Sequence, residues 1–161
     1  MRTTGFSLSP GGLLLPYHVG ALEALKHHNQ LHAHTPIAGS SAGGIAVAAH
    51  ACGVEPQQVL DATVEISGQC EEQGGTRGRL LSALRTKLDH LITAHEFQQL
   101  RERSGEAAIA YRQVFPTYTS MHQTEFGARI DLVTAICNSS TFPFFLTTWP
   151  VALATSGRMP P

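Results

Sequence analysis

Ile37-Ala38-Gly39-Ser40-Ser41-Ala42-Gly43-Gly44-Ile45 contains a Gly-x-Ser-x-Gly pentapeptide with small residues at both variable positions. The spacing has a mechanical cause: a serine at a sharp strand-to-helix turn projects its hydroxyl outward, and glycines two residues to either side let the strand and helix backbones pass closely. Ser41 is therefore the candidate nucleophile, with Gly39 and Gly43 as the glycines of the elbow. The flanks suit that context. Thr35-Pro36-Ile37-Ala38 predicts a short buried strand, and Ile45 to Cys52, rich in alanine and valine, predicts a buried helix.

Upstream lies a second strand, glycine-rich loop and helix. Phe6-Ser7-Leu8-Ser9 has strand character, Pro10-Gly11-Gly12 predicts a turn, and Tyr17 to His28 predicts a helix. The amides of Gly11, Gly12 and Leu13 are candidate donors to a developing oxyanion, because they lie near the start of the following helix. A Cβ at Gly11 or Gly12 would hinder close approach of a substrate oxygen.

Three segments together resemble the patatin-like phospholipase family, and within it the branch that includes the adipose triglyceride lipases. They are Phe6 to Gly20, Gly39 to Gly43, and Phe126 to Ser140 leading to Phe142-Pro143. The third is similar to the family's run of Phe, polar turn, Asp-Leu-Val and small-residue helix ending in serine, followed by proline. The resemblance spans nearly all of residues 5–150. It implies a three-layer α/β/α fold with a central, largely parallel sheet, and a serine acyl hydrolase acting on lipid esters through a Ser–Asp dyad.

The chain departs from the family pattern in two places. Pro10 and Leu15 stand where the family favours glycine, Leu13-Leu14 replace the basic position of plant patatins, and Pro10 has no N–H to donate. The family's catalytic aspartate sits in an Asp-Gly step after the Phe-Pro region, and this chain has no Asp-Gly step. Its three aspartates are Asp61, Asp89 and Asp131, the last matching the Asp-Leu-Val helix start. The expectation is a patatin-like domain over residues 5–150, a divergent or truncated tail over 151–161, and no catalytic aspartate in the chain.

Composition agrees with one globular domain: 161 residues, 42% hydrophobic and 14% charged, are enough to build a core. A net charge of −1 without long charge runs gives no electrostatic basis for binding nucleic acid, and lipid is the more natural partner. Cys52, Cys70 and Cys137 are odd in number and widely spaced, so reduced, buried thiols in an intracellular chain are expected. Pro10, Gly11, Gly12 and Pro16 interrupt any signal-peptide core, and the apolar run from Phe142 to Ala154 is broken by Pro143 and Pro150. Membrane or lipid-droplet contact would therefore be peripheral.

The middle of the chain predicts helices. One opens at Pro56, places Val59, Leu60, Thr63 and Val64 on one face, and is expected to end near Ser67-Gly68. Glu71 to Gly78 predicts a polar loop. Leu80, Leu81, Leu84, Leu88, Leu91 and Ile92 recur at helical spacing, as a core-packing helix or a lid. Thr93-Ala94-His95-Glu96 is a capping box opening another helix. Ala107 to Phe115 and Tyr118 to Met121 predict strands.

Nine histidines raise a metal or triad question. His27, His28, His32 and His34 cluster after the first helix, but no carboxylate or cysteine joins them, so helix-end histidines are expected and no metal or cofactor is called for. Two competing functions stay open. One is a Ser-His-Asp hydrolase using Ser41, Asp61 or Asp89, and His90, His95 or His122; the chain offers only one strand–helix unit before Ser41, which suits the patatin-like order better. The other is a non-catalytic lipid-binding or regulatory domain, to which the missing Asp-Gly step points.

Overall fold

The computed structural model describes residues 4–114 and 117–141. Four strands form one mixed sheet in the order β1 (Phe6–Leu8), β2 (Ile37–Gly39), β3 (Ala107–Gln113), β4 (Thr119–Gln123). The first three are parallel and β4 returns antiparallel on β3. Six helices accompany them: α1 (Leu15–His27), α2 (Ala42–Ala51), α3 (Pro56–Glu72), α4 (Leu80–Leu91), α5 (Ala94–Glu102) and α6 (Arg129–Ser140). Parallel neighbours need crossover connections, and the helices supply them. This is the α/β architecture with a largely parallel sheet that the sequence predicts.

Strand alternation puts Phe6, Leu8, Ile37, Ala107, Ile109 and Tyr111 on one face of the sheet, and all six join the buried apolar cluster. The other face carries Ser7, Ala38, Ala108, Ala110 and Arg112, which are small or polar. Helix α2 packs against β1, β2 and β3 and is flanked by α1 and α6. It has almost no polar face: Ala42, Gly43, Gly44, Ala46, Val47, Ala48, Ala49 and Ala51 are buried. A helix apolar all round belongs at the centre of a domain.

Three helices end by the same device, a left-handed residue just past the last turn that lets two amides fold back onto orphan carbonyls. In α1 the residue is Asn29 (φ +55°), with Gln30 N–H on Leu25 O at 2.8 Å. In α2 it is Gly53 (φ +68°), with Val54 N–H on Ala49 O at 2.9 Å. In α3 it is Gly74 (φ +84°), with Gly75 N–H on Cys70 O at 2.7 Å. The sequence expectation that α3 stops at Ser67-Gly68 is corrected by this. Gly68 has open space around it, whereas continuing the helix buries Cys70 and reaches a glycine able to cap it.

The leucine-rich helix α4 is core-packing: Leu84 and Leu88 are buried against α3 and α6. The capping box of α5 forms, with Thr93 N–H on the Glu96 carboxylate at 3.1 Å and His95 N–H on Thr93 Oγ at 3.2 Å. Asp131 does the equivalent for α6, accepting from Ala128 N–H at 2.8 Å. Arg129 ties α6 to the end of α4 through Asp89 Oδ1 at 2.8 Å and the Ile92 carbonyl at 3.2 Å. The three cysteines are free and buried; burial raises the Cys52 thiol to about 12 and the Cys137 thiol to about 11. Phe115, Phe142-Pro143 and the tail 151–161 lie outside the described residues.

Candidate active site

The elbow is built by backbone lying on backbone. Ser41 joins the C-terminal end of β2 to α2 with φ +53° and ψ −123°, a conformation that costs a residue with a Cβ on the order of 1–3 kcal/mol. Asn29 also has positive φ, but asparagine tolerates its ordinary left-handed turn; Ser41 is the strained one. Both motif glycines have a steric reason to be glycine. A Cβ on Gly39 would run into the carbonyl of Gly43 and lie 2.7 Å from Gly44 N. A Cβ on Gly43 would strike the Leu8 carbonyl oxygen and sit 2.7 Å from Ser9 O.

Gly43 therefore does more than open α2: it seats the helix directly on the end of β1, where the glycine-rich turn begins. Ser40 N–H reinforces the contact by donating to Leu8 O at 3.2 Å. The elbow and the upstream turn are brought together by this packing. Ser41 is the N-cap of α2, a position where serine ordinarily accepts a hydrogen bond from the first-turn amides, yet its side chain makes no such bond. Its hydroxyl is left at the positive end of the helix dipole, and among the described residues it has no hydrogen-bond partner.

The upstream turn is looser. Gly12–Leu14 is a 3-10 turn closed by Leu14 N–H on Gly11 O at 2.9 Å. Among the described residues the amides of Gly11, Gly12 and Leu13 are paired with no acceptor. Gly12 has φ +51° and nothing within 4 Å of where a Cβ would be, so glycine is required there by conformation. Gly11 differs. A Cβ on it would lie 2.8 Å from His18 Nε2, so its glycine makes room for a protein side chain rather than for substrate. His18 is 8% exposed, and its buried Nε2, under this turn, has no partner among the described residues. Sequence inspection missed it because one histidine in a helix carries no pattern.

Ser139, near the end of α6, was also missed. Its Oγ accepts from Ser41 N–H at 2.7 Å, donates to the Ala110 carbonyl at 2.6 Å, and lies 3.3 Å from Ser40 Oγ. On the entry side, Arg103 donates to the carbonyls of Ala33 and of Thr35 (2.6 Å), bracing the loop that leads into β2.

The other residues singled out in the sequence do not converge on Ser41. Asp61 accepts from Gln57 at 2.8 Å on α3, Asp89 pairs with Arg129, and Asp131 caps α6. His90 bonds Thr86 O at 2.6 Å, His95 lies 3.4 Å from Gln99, and His122 is exposed on β4. None of the three is hydrogen-bonded to an aspartate among the described residues. His27 and His28 meet edge to face and His32 stacks on His34. Among the described residues no group of three or more His, Cys, Asp or Glu could hold a metal ion. A groove of ≈ 460 Å³ lined by Arg101, Arg103, Gly105, Glu125 and Phe126 lies at the start of β3, the opposite end of the sheet from the elbow.

A strand-to-helix serine elbow seated on a glycine-rich β1–α1 turn narrows the choice of family, and comparison with family models decides it. The patatin-like phospholipase model matches residues 6–159. The chain belongs to the patatin-like phospholipase family. Patatin-like phospholipases are lipid acyl hydrolases, so lipid is the substrate class of the family to which this domain belongs. No curated protein and no solved structure matches the chain. In patatin-like terms, both loops carrying the resemblance lie at the C-terminal ends of adjacent parallel strands, where open α/β sheets place their ligands.

Proposed function

We propose that this domain is a serine acyl hydrolase of lipid esters in which Ser41 is the nucleophile and the Gly11, Gly12 and Leu13 amides receive the oxyanion. The observation that carries it is Ser41 itself: a hydroxyl that does not cap its own helix, held in a strained backbone conformation at the helix N-terminus, next to a turn whose amides have no acceptor among the described residues. Such strain is kept where it positions a group for chemistry. In the reaction, Ser41 Oγ attacks the ester carbonyl and its proton passes to a base, which returns it to the departing alcohol. Water then cleaves the acyl–serine bond. Negative charge on the carbonyl oxygen is met by the preorganised amides and by the dipole of α2.

The base in the family's dyad is an aspartate of an Asp-Gly step, and all three aspartates here are bonded elsewhere. On this reading the chain supplies the nucleophile and oxyanion donors but not the base, and it acts slowly. The motifs at Phe6–Gly20 and Phe126–Ser140 support the branch that includes adipose triglyceride lipases. Leu13 and Leu14 on the turn beside the elbow and Tyr17 at the start of α1 are 74%, 61% and 71% exposed, an apolar knob suited to a membrane or lipid-droplet surface inside the cell. The engagement of all three aspartates elsewhere also favours a second reading, a lipid-binding domain that retains the elbow without turnover.

An alkyl fluorophosphonate and a p-nitrophenyl ester separate these readings. The hydrolase reading expects slow, stoichiometric labelling of Ser41, none in Ser41→Ala, and ester turnover lower by the ~10²–10⁴-fold that a general base supplies. An unlabelled wild-type chain supports the binding domain. Fast turnover abolished by Ser41→Ala, and also by a change at His90, His95 or His122, supports the histidine triad.

A further inference from the structure

We infer that Ser139 is a positioning residue for the nucleophile, holding the Ser41 backbone in its strained conformation. The inference rests on Ser41 being the nucleophile only for its consequence; the contact itself is independent of that assignment. Ser41 stands 98 residues before Ser139 in the chain, and its N–H donates to Ser139 Oγ at 2.7 Å. The hydroxyl proton of Ser139 is committed to the Ala110 carbonyl at 2.6 Å. Ser40 Oγ, 3.3 Å away, is therefore the donor to the remaining lone pair of Ser139. One hydroxyl is thus used to its full capacity, one bond given and two received.

These three bonds join α6, the central strand β3 and the elbow. Ala110 follows Ile109, which pairs with Gly39, so the anchor on β3 lies level with the elbow. The Ser41 amide has no helical acceptor, because it precedes the first turn of α2. Without Ser139 it would be a part-buried donor left unpaired, and relaxing φ toward negative values would relieve the strain that aims the side chain. Ser139 bonds the Ser41 amide and not, among the described hydrogen bonds, its hydroxyl. It acts through the backbone of Ser41.

The test compares wild type, Ser139→Ala, Ser139→Thr and Ser41→Ala in the 161-residue chain, by amide hydrogen exchange at Ser41 and by saturation kinetics of alkyl fluorophosphonate labelling. Ser139→Ala removes one atom and leaves the fold intact, checked by thermal unfolding. Its Ser41 amide should exchange about ten- to hundredfold faster and its maximal labelling rate should fall by a similar factor, with the half-saturating probe concentration unchanged. Ser139→Thr, which keeps the hydroxyl, should restore both. Unchanged exchange at the Ser41 amide in Ser139→Ala overturns the clamp. Faster exchange with an unchanged labelling rate overturns the positioning role. A wild-type chain that takes no label, with Ser139→Ala still freeing the amide, overturns the nucleophile assignment and leaves the clamp standing.

Discussion

The elbow and the glycine-rich turn lie side by side, yet one is held from every direction and the other hardly at all. Gly39 and Gly43 sit against backbone that cannot yield, and Ser41 is fixed by β2, α2 and the Ser139 hydroxyl. The Gly11–Leu14 turn has one closing hydrogen bond, three amides with no acceptor among the described residues, and two exposed leucines. The contrast fits the division of labour proposed here. A nucleophile must be aimed before substrate arrives, whereas a turn that receives both an oxyanion and an apolar chain keeps its donors free and its surface open.

The sharpest way to break that contrast is to add one methyl group on each side. Gly43→Ala should cost roughly 3 kcal/mol or more, because the Cβ meets the backbone of β1, which has nowhere to move. Gly12→Ala meets no atom within 4 Å and pays only for its positive φ, roughly 1 kcal/mol. Urea unfolding of the two variants should differ in this order; equal losses would show that the two loops are held alike.

An effect between these two is expected at Gly11, where the obstacle is a side chain. Gly11→Ala should cost about 1–3 kcal/mol through the His18 ring. Part of that loss should vanish when His18 is also alanine, a coupling of about 1 kcal/mol in a double-mutant cycle. Strict additivity would mean that His18 does not shape the turn.

A pH-dependent effect lies at the far end of the elbow helix. His50 is in the last turn of α2, where the dipole alone would favour its charged form. Burial opposes this first, followed by repulsion from Arg103 and Lys26, and together they lower its pKa from 6.5 to about 4. The unfolded chain then takes up the proton before the folded one does, so this contribution is complete above pH 6.5 and is lost progressively toward pH 4. His50→Gln should flatten the stability profile in that window, read as the midpoint of urea unfolding against pH. An unchanged slope would show that the dipole prevails.

Local sequence was enough wherever a signal recurs within a few residues. The Gly-x-Ser-x-Gly step, the Pro56 helix start, the Thr93–Glu96 capping box and the strand-like run from Ala107 each report on neighbours along the chain, and each element formed. The end of α3 was misjudged for the same reason. Gly68 looks like a stop locally, but burial of Cys70 and the left-handed conformation of Gly74 carry the helix further.

The chain by itself determined the α/β order of elements and the elbow, which rest on periodicity and spacing, and the family, which rests on the resemblance of three segments. The tertiary structure alone decided that Gly43 seats on Leu8–Ser9, that Gly11 makes room for His18, and that Ser139 holds the Ser41 amide. Each of these is a contact between residues distant in sequence, at separations that leave no periodic trace. Their energies come from close packing and from pairing polar groups that folding has removed from water, and neither exists until the strands and helices have met.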